Sequence, residues 1–195
     1  MSPSDITMMR IMARWQAGAP DRLKEAALTL FQTRGYDGTT VAEIAAAAGV
    51  TERTFFRHFA DKREVLFADQ NSFEGVFLAA LPPSGTSPMR LVAAVLDGAA
   101  TLFGEDRRAW SRARQSIIAA NAALQERELL KLSLLAVSLT RALTERGIDP
   151  ISAALAAETA VTVFRTAFAA WIADGEDRPF AEVQAEVLRR LQALL

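Results

Sequence analysis

The sequence predicts an all-α protein, and three observations carry that prediction. The 195-residue chain is 51% hydrophobic, enough for a sizeable core, and its long stretches of Ala, Leu, Arg and Glu suit helices. It has ten Gly and one Tyr, and no run keeps the apolar-polar alternation of a half-buried strand. Gly and Pro fall between the periodic segments, where they punctuate helices.

Charge and composition bound the function. A formal charge of -1 and a pI near 5.9 argue against a protein that coats nucleic acid through bulk positive charge, so any DNA contact is local. With no Cys there is no disulfide framework, thiolate nucleophile or Cys-based zinc site, which fits a reducing cytoplasm. One His and no metal-ligand cluster leave little catalytic equipment. The expectation is a non-enzyme, with no cofactor and no metal.

Residues 1–19 form an N-terminal extension. Arg10 and Arg14 stand beside Met8, Met12 and Trp15 at helical spacing, without the apolar core of a signal peptide. A basic arm reaching a minor groove, a frayed terminus and a short docking helix are all open readings. Pro20 then starts a helix whose apolar face is Leu23, Ala26, Ala27, Leu30 and Phe31, ending at Gly35, and Asp37-Gly38 marks a turn.

Thr40 with Glu43 makes a T-x-x-E capping box, so a second helix starts there, with Val41, Ile44, Ala45 and Ala48 on one face. Gly49 supplies the positive φ of a tight turn, and Thr51 is a good N-cap for a third helix through Thr54, Phe55 and Phe56. Helix, glycine turn, helix is a helix-turn-helix, whose second helix has its N-terminal residues placed to enter a DNA major groove.

The segments FQTRGYDG, TTVAEIAAAAG and GVTERTFFRHFADKREVLF together resemble the N-terminal DNA-binding domain of the TetR family of bacterial transcriptional regulators. The resemblance covers 22–67, about a quarter of the chain; beyond it only the helical layout is similar. It implies a helix-turn-helix domain at 20–66 and a helical ligand-binding and dimerisation domain at 67–195.

Within the third helix, Glu52, Arg53, Thr54 and Phe55 occupy the first turn. Arg53 suits a bidentate pair with guanine, worth about 1–3 kcal/mol of discrimination, or a phosphate contact. Glu52 suits cytosine N4 or the helix dipole. The Thr51 and Thr54 hydroxyls suit phosphate or base, as does that of Thr40 at its own helix start. By resemblance, Phe55 and Phe59 are core, as is Tyr36. Phe56 replaces the family's usual tyrosine, removing a phosphate-binding hydroxyl; it either touches a thymine methyl or sugar, or loses about 1 kcal/mol of binding. By resemblance His58 approaches the backbone and Lys62 meets a phosphate. Arg53, Arg57, His58, Lys62 and Arg63 form a local donor cluster.

Asp61 and Glu64 cap a further helix expected to run from Lys62 through Leu81 to Pro82-Pro83, linking two hydrophobic cores. The resemblance implies that a ligand moves this helix. Ser87-Pro88 opens the next helix, and apolar helices follow over 107–120 and 124–146. Phe73, Phe77, Phe103, Trp110 and Ile117, with Gln115 and Asn121 as polar groups, are candidates for contact with an apolar or amphipathic ligand; core packing is the other reading of each.

Asp149-Pro150 caps a helix to Asp174 that is apolar on more than one face, and Glu158 and Arg165 near its middle argue against a membrane span. Burial on two sides asks for a second partner surface. Pro179 starts a final amphipathic helix to about 194. In the family the last two helices pair with their copies, which implies a homodimer through 150–174 and 179–194. Such a dimer presents two reading helices to a near-palindromic double-stranded operator, with half-sites about 34–36 Å apart or multiples of that. The expected function is that of a cytoplasmic transcriptional regulator, a repressor released by a small molecule; a regulator with no inducer is the alternative.

Overall fold

A computed structural model of the chain describes residues 18–67, 70–82 and 87–194. All regular structure in them is helical, and the chain divides into two compact units, Met1–Ala68 and Asp69–Leu195. The arm at Arg10 and Arg14 lies outside the described residues.

The first unit holds α1 (Ala19–Arg34), α2 (Val41–Ala47), α3 (Glu52–His58) and a 3-10 turn (Arg63–Leu66). Leu23, Ala27 and Phe31 of α1 meet Ile44 and Ala45 of α2 and Phe55 of α3, all 3% exposed or less. The apolar spacing of each helix thus becomes one small core. Tyr36 packs on Phe31 with ring centroids 5.1 Å apart, as its core role requires.

One expected element is not continuous. Instead of a single helix from Lys62 to Leu81, the chain makes the 3-10 turn, leaves helical geometry at Phe67 (φ -122°, ψ 5°) and starts α4 (Gln70–Ala79) afresh. The cause lies in three consecutive apolar residues. Val65, Leu66 and Phe67 are all buried, at 1%, 3% and 5% exposure, and an α-helix stepping about 100° per residue cannot turn three neighbours to one face.

The second unit continues through α5 (Pro88–Ala100), α6 (Glu105–Ala119), α7 (Ala122–Thr144), α8 (Pro150–Trp171) and α9 (Phe180–Gln192). Pro88 does open α5, but the Ser87 side chain makes no capping bond. The Asp149 carboxylate does cap α8, accepting from Ser152 N at 3.0 Å. Helix α8 is long and apolar enough to cross a membrane by length and composition. Here it is the centre of the unit, packed against α5, α7 and α9. The chain's own helices cover its buried faces, while Ile151 and Leu155 stay 75% and 64% exposed.

Two further contacts tie this unit together. Gly98 lets α5 approach α4 so closely that a Cβ there would stand 2.4 Å from Ala80 Cβ. Arg108, 8% exposed, donates to the carbonyls of Trp171, Glu176 and Arg178, pairs with Glu105 at 2.7 Å and lies over the Trp171 ring. Both terminal nitrogens of this buried guanidinium are satisfied, which offsets its desolvation, while Nε is buried without a hydrogen-bond partner.

A candidate nucleic-acid interface

The helix-turn-helix is fixed by its caps. Thr40 Oγ1 accepts from Glu43 N at 3.2 Å, and the Glu43 carboxylate accepts from Thr40 N at 2.8 Å, closing the box reciprocally. Arg34 reaches the same carboxylate at 2.7 Å. Together these hold the Glu43 carboxyl below its ordinary value, the Thr40 backbone bond first and the Thr40 hydroxyl second. Helix α2 ends with Gly49 at φ 68°, Gly49 N donating to Ala46 O and Val50 N to Ala45 O. That paired closure is a Schellman turn, and it aims the next segment into α3.

On α3 the side chains divide cleanly. Phe55 is fully buried and touches Phe59 at 5.2 Å between centroids, whereas Glu52, Arg53, Phe56, Arg57 and His58 are exposed. Phe56 is 54% exposed and meets Phe55 edge-on at 5.4 Å. An exposed aromatic ring and two exposed arginines give the helix an outward surface that is both apolar and cationic. Thr51 Oγ1 accepts from Thr54 N at 3.2 Å and lies 3.1 Å from Thr54 Oγ1, so capping already engages both hydroxyls. The Thr40 hydroxyl is likewise engaged in its box.

Lys62 points inward. Its Nζ donates to Tyr36 O at 2.7 Å and Thr39 O at 2.8 Å and sits 4.1 Å from the Tyr36 ring centroid. Two of its three donors thus hold the loop between α1 and α2. Arg63 is paired with Asp61 at 2.9 Å. Burial of Asp61 works against its ionisation, but its hydrogen bonds from Arg63 and Glu64 outweigh this and lower its pKa. Of the expected donor cluster, Arg53, Arg57 and His58 present exposed side chains, while Lys62 and Arg63 serve the fold. No periodicity signals a lysine bonded to carbonyls 23 and 26 residues away, and sequence reasoning missed that role.

The candidate ligand residues separate into two groups. Phe73, Phe77 and Phe103 join Phe164, Phe168, Trp171 and Phe180 in one cluster, with centroids 4.7 Å apart for Phe73–Phe77 and 4.8 Å for Phe103–Phe180. Trp110, Gln115, Ile117 and Asn121 stand outside it. Asn121 is the N-cap of α7, its Oδ1 accepting from Leu124 N at 3.2 Å. Gln115 donates to Glu128 at 3.2 Å, with its own Oε1 buried and without a hydrogen-bond partner. Arg108, which the sequence reading passed over, had one faint signal, its i,i+3 spacing from Glu105.

The fold and this face define a helix-turn-helix protein. The model for bacterial regulatory proteins, tetR family, matches residues 23–68. The HTH-type transcriptional regulator TcmR of Streptomyces glaucescens is 47% identical over 72 residues, 36% of this chain and 32% of that protein. The chain thus spans about a third of the length of this curated relative. FadR from Bacillus subtilis in complex with stearoyl-CoA superposes with a TM-score of 0.56 at 19% identity, over 87% of this chain and 96% of that one. Thermus thermophilus FadR, a TetR family transcriptional repressor in complex with lauroyl-CoA, gives 0.52 at 23% identity, over 89% and 93%. Residues 23–68 thus match the N-terminal region of the tetR family of bacterial regulatory proteins, and the helical layout of the whole chain is similar to that of solved regulators of that family.

Proposed function

We propose that this protein is a cytoplasmic, homodimeric transcriptional regulator, a repressor that holds a near-palindromic operator and leaves it when a small apolar or amphipathic ligand binds the second unit. The observation that carries this reading is the outward face of α3, where Arg53, Phe56 and Arg57 are all exposed while Phe55 anchors the helix from behind. Arg53, one residue beyond the first helical position, is the base reader; Glu52 sits beside it, and Arg57 and His58 reach the backbone. Thr40, Thr51 and Thr54 position the two helices through their caps, and Phe56 offers an apolar contact to a thymine methyl. Lys62 contributes a third donor to phosphate while holding the loop. The dimer forms through α8 and α9. Regulation rather than catalysis is the reading, supported by the match of residues 23–68 to the tetR family of regulatory proteins and by the likeness to TcmR.

The ligand reading rests on the seven-ring cluster, which offers an apolar site, and on the acyl-CoA named for the two FadR structures. A regulator without an inducer is the second reading, favoured by how closely the rings already pack. Selection from a random double-stranded DNA pool tests the core proposal: an enriched inverted repeat is expected, and a folded dimer that enriches nothing overturns it. Thermal-shift measurements with acyl-CoA and free fatty acids decide between the two readings. Stabilisation coupled to loss of operator binding supports the ligand; no shift with any chain length supports the second.

A further inference from the structure

Helix α7 carries a stripe that the fold does not use. Glu126, Leu130, Leu134, Val137 and Arg141 follow one another at steps of three and four, which places them along one face of the helix. All five are exposed, Leu130, Leu134 and Val137 by 49%, 52% and 63%. The stripe is an apolar ridge with an acid at one end and a base at the other, about 22 Å apart at 1.5 Å per residue. Clustered exposure of this kind marks an interaction surface.

The order of residues says which partner fits. Glu126 and Arg141 are equally distant from the midpoint between Ser133 and Leu134, and so are Leu130 and Val137. We propose that α7 pairs antiparallel with α7 of a second copy, about a two-fold axis passing between Ser133 and Leu134. That axis sets each Glu126 against the partner's Arg141 and each Leu130 against the partner's Val137. An isologous contact requires this reciprocity, and a charge pattern that reverses along the helix supplies it. Among the described residues Arg141 pairs with Glu145, at 3.3 Å and with both side chains well exposed, a pair too weakly held to fix it. An open hollow of about 580 Å³ lined by Ala122, Gln125, Glu126, Leu129, Leu130 and Ser133 leaves room beside the ridge for the partner's side chains.

This contact goes beyond the α8–α9 dimer proposed above. Helix α8 packs against both α7 and α9, so a two-fold centred on α7 is a different axis from one centred on the α8–α9 pair. A chain that uses both builds a dimer of dimers.

The chain has no Cys, so single thiols report cleanly. Under mild oxidation, full-length Ser133→Cys is expected to form a covalent dimer across the axis, while Ala185→Cys on α9 reports the other contact. In sedimentation experiments, Glu126→Arg and Arg141→Glu each raise the dissociation constant of the α7 association by about tenfold or more, and the double reversal restores it. A protein that crosslinks through Ala185→Cys, but not through Ser133→Cys, and ignores both charge reversals overturns the α7 contact and leaves the dimeric regulator standing. Crosslinking at 133 alone, with charge rescue, upholds α7 and removes the α8–α9 placement. A monomer silent at both positions overturns both.

Discussion

Lys62 Nζ lies 4.1 Å from the centroid of the Tyr36 ring and donates to that residue's own carbonyl at 2.7 Å. The ammonium thus grips the α1–α2 loop from two directions, through the π face and through the backbone. A residue expected to meet phosphate is also a fastening of the domain that would present it.

Replacing that cation should cost stability before it costs charge. Lys62→Met is expected to destabilise the first unit by about 1.5–3 kcal/mol, the range for hydrogen bonds to a charged group. Urea unfolding followed by helical circular dichroism measures it. If the third donor also meets phosphate, the salt dependence of operator affinity falls by about one unit of slope; an unchanged slope assigns Lys62 to the fold alone.

Tyr36 is the chain's one tyrosine, so its ionisation can be followed directly by tyrosinate absorbance. Burial first, then the Asp61 carboxylate, pushes it up to about 12 from 10.0. A raised folded-state pKa means the folded state keeps its proton longer. The stability this contributes is complete below pH 10.0 and is lost as pH climbs towards about 12. A midpoint at the ordinary tyrosine value in the folded protein would show that the ring is solvated.

The Glu43 carboxyl behaves in the opposite sense. Its folded-state pKa lies below 4.5, so its contribution is present above that pH and fades as pH falls through the lower folded value. Thr40→Ala removes the strongest part of the box and is expected to cost about 0.5–2 kcal/mol. The variant should also show a shallower loss of stability on acidification, which an unfolding series across the acid range would test.

Arg53→Ala should relax base preference at one position in each half-site, by about 1–3 kcal/mol of discrimination. Binding-site selection with the variant makes the comparison. Equal weakening across all sequences would reassign Arg53 to phosphate.

In the second unit, Gly98→Ala sets two effects against each other. Alanine is the better helix former by about 1 kcal/mol, but its Cβ would stand 2.4 Å from Ala80 Cβ, which has no flexible end to yield. Overpacking typically costs about 1–3 kcal/mol, so net destabilisation is expected, read as a lower urea midpoint. A midpoint at or above that of the parent would mean that α4 and α5 separate freely.

Local signals in the sequence led to the correct elements where the cause was local. The Thr40–Glu43 box, the Gly49 turn, the Thr51 cap and the Asp149-Pro150 start each involve residues within a few positions of one another, and each forms as read. Errors came where a distant partner decided the outcome. The helix expected from Lys62 breaks at Phe67 because the α1 core claims three neighbouring apolar side chains at once. Asn121, read as a polar group for a ligand, also caps α7 by accepting from Leu124 N, a local role that the reading did not name. Phe73, Phe77 and Phe103 were legible as apolar positions, whereas their gathering with Phe164, Phe168, Trp171 and Phe180 depends on how helices cross, which spacing along one helix does not encode.

The division of labour on α3 has an evolutionary consequence. Phe55 is held by the core, and Thr51 by the cap, while Glu52, Arg53, Phe56 and Arg57 carry almost no structural duty. If α3 reads DNA as proposed, substitutions at those four positions change what is read with little penalty to folding, since exposed helix positions typically alter stability by about 0.5 kcal/mol or less. On the proposed function, a lineage could therefore exchange its operator for another by drift on one side of a two-turn helix.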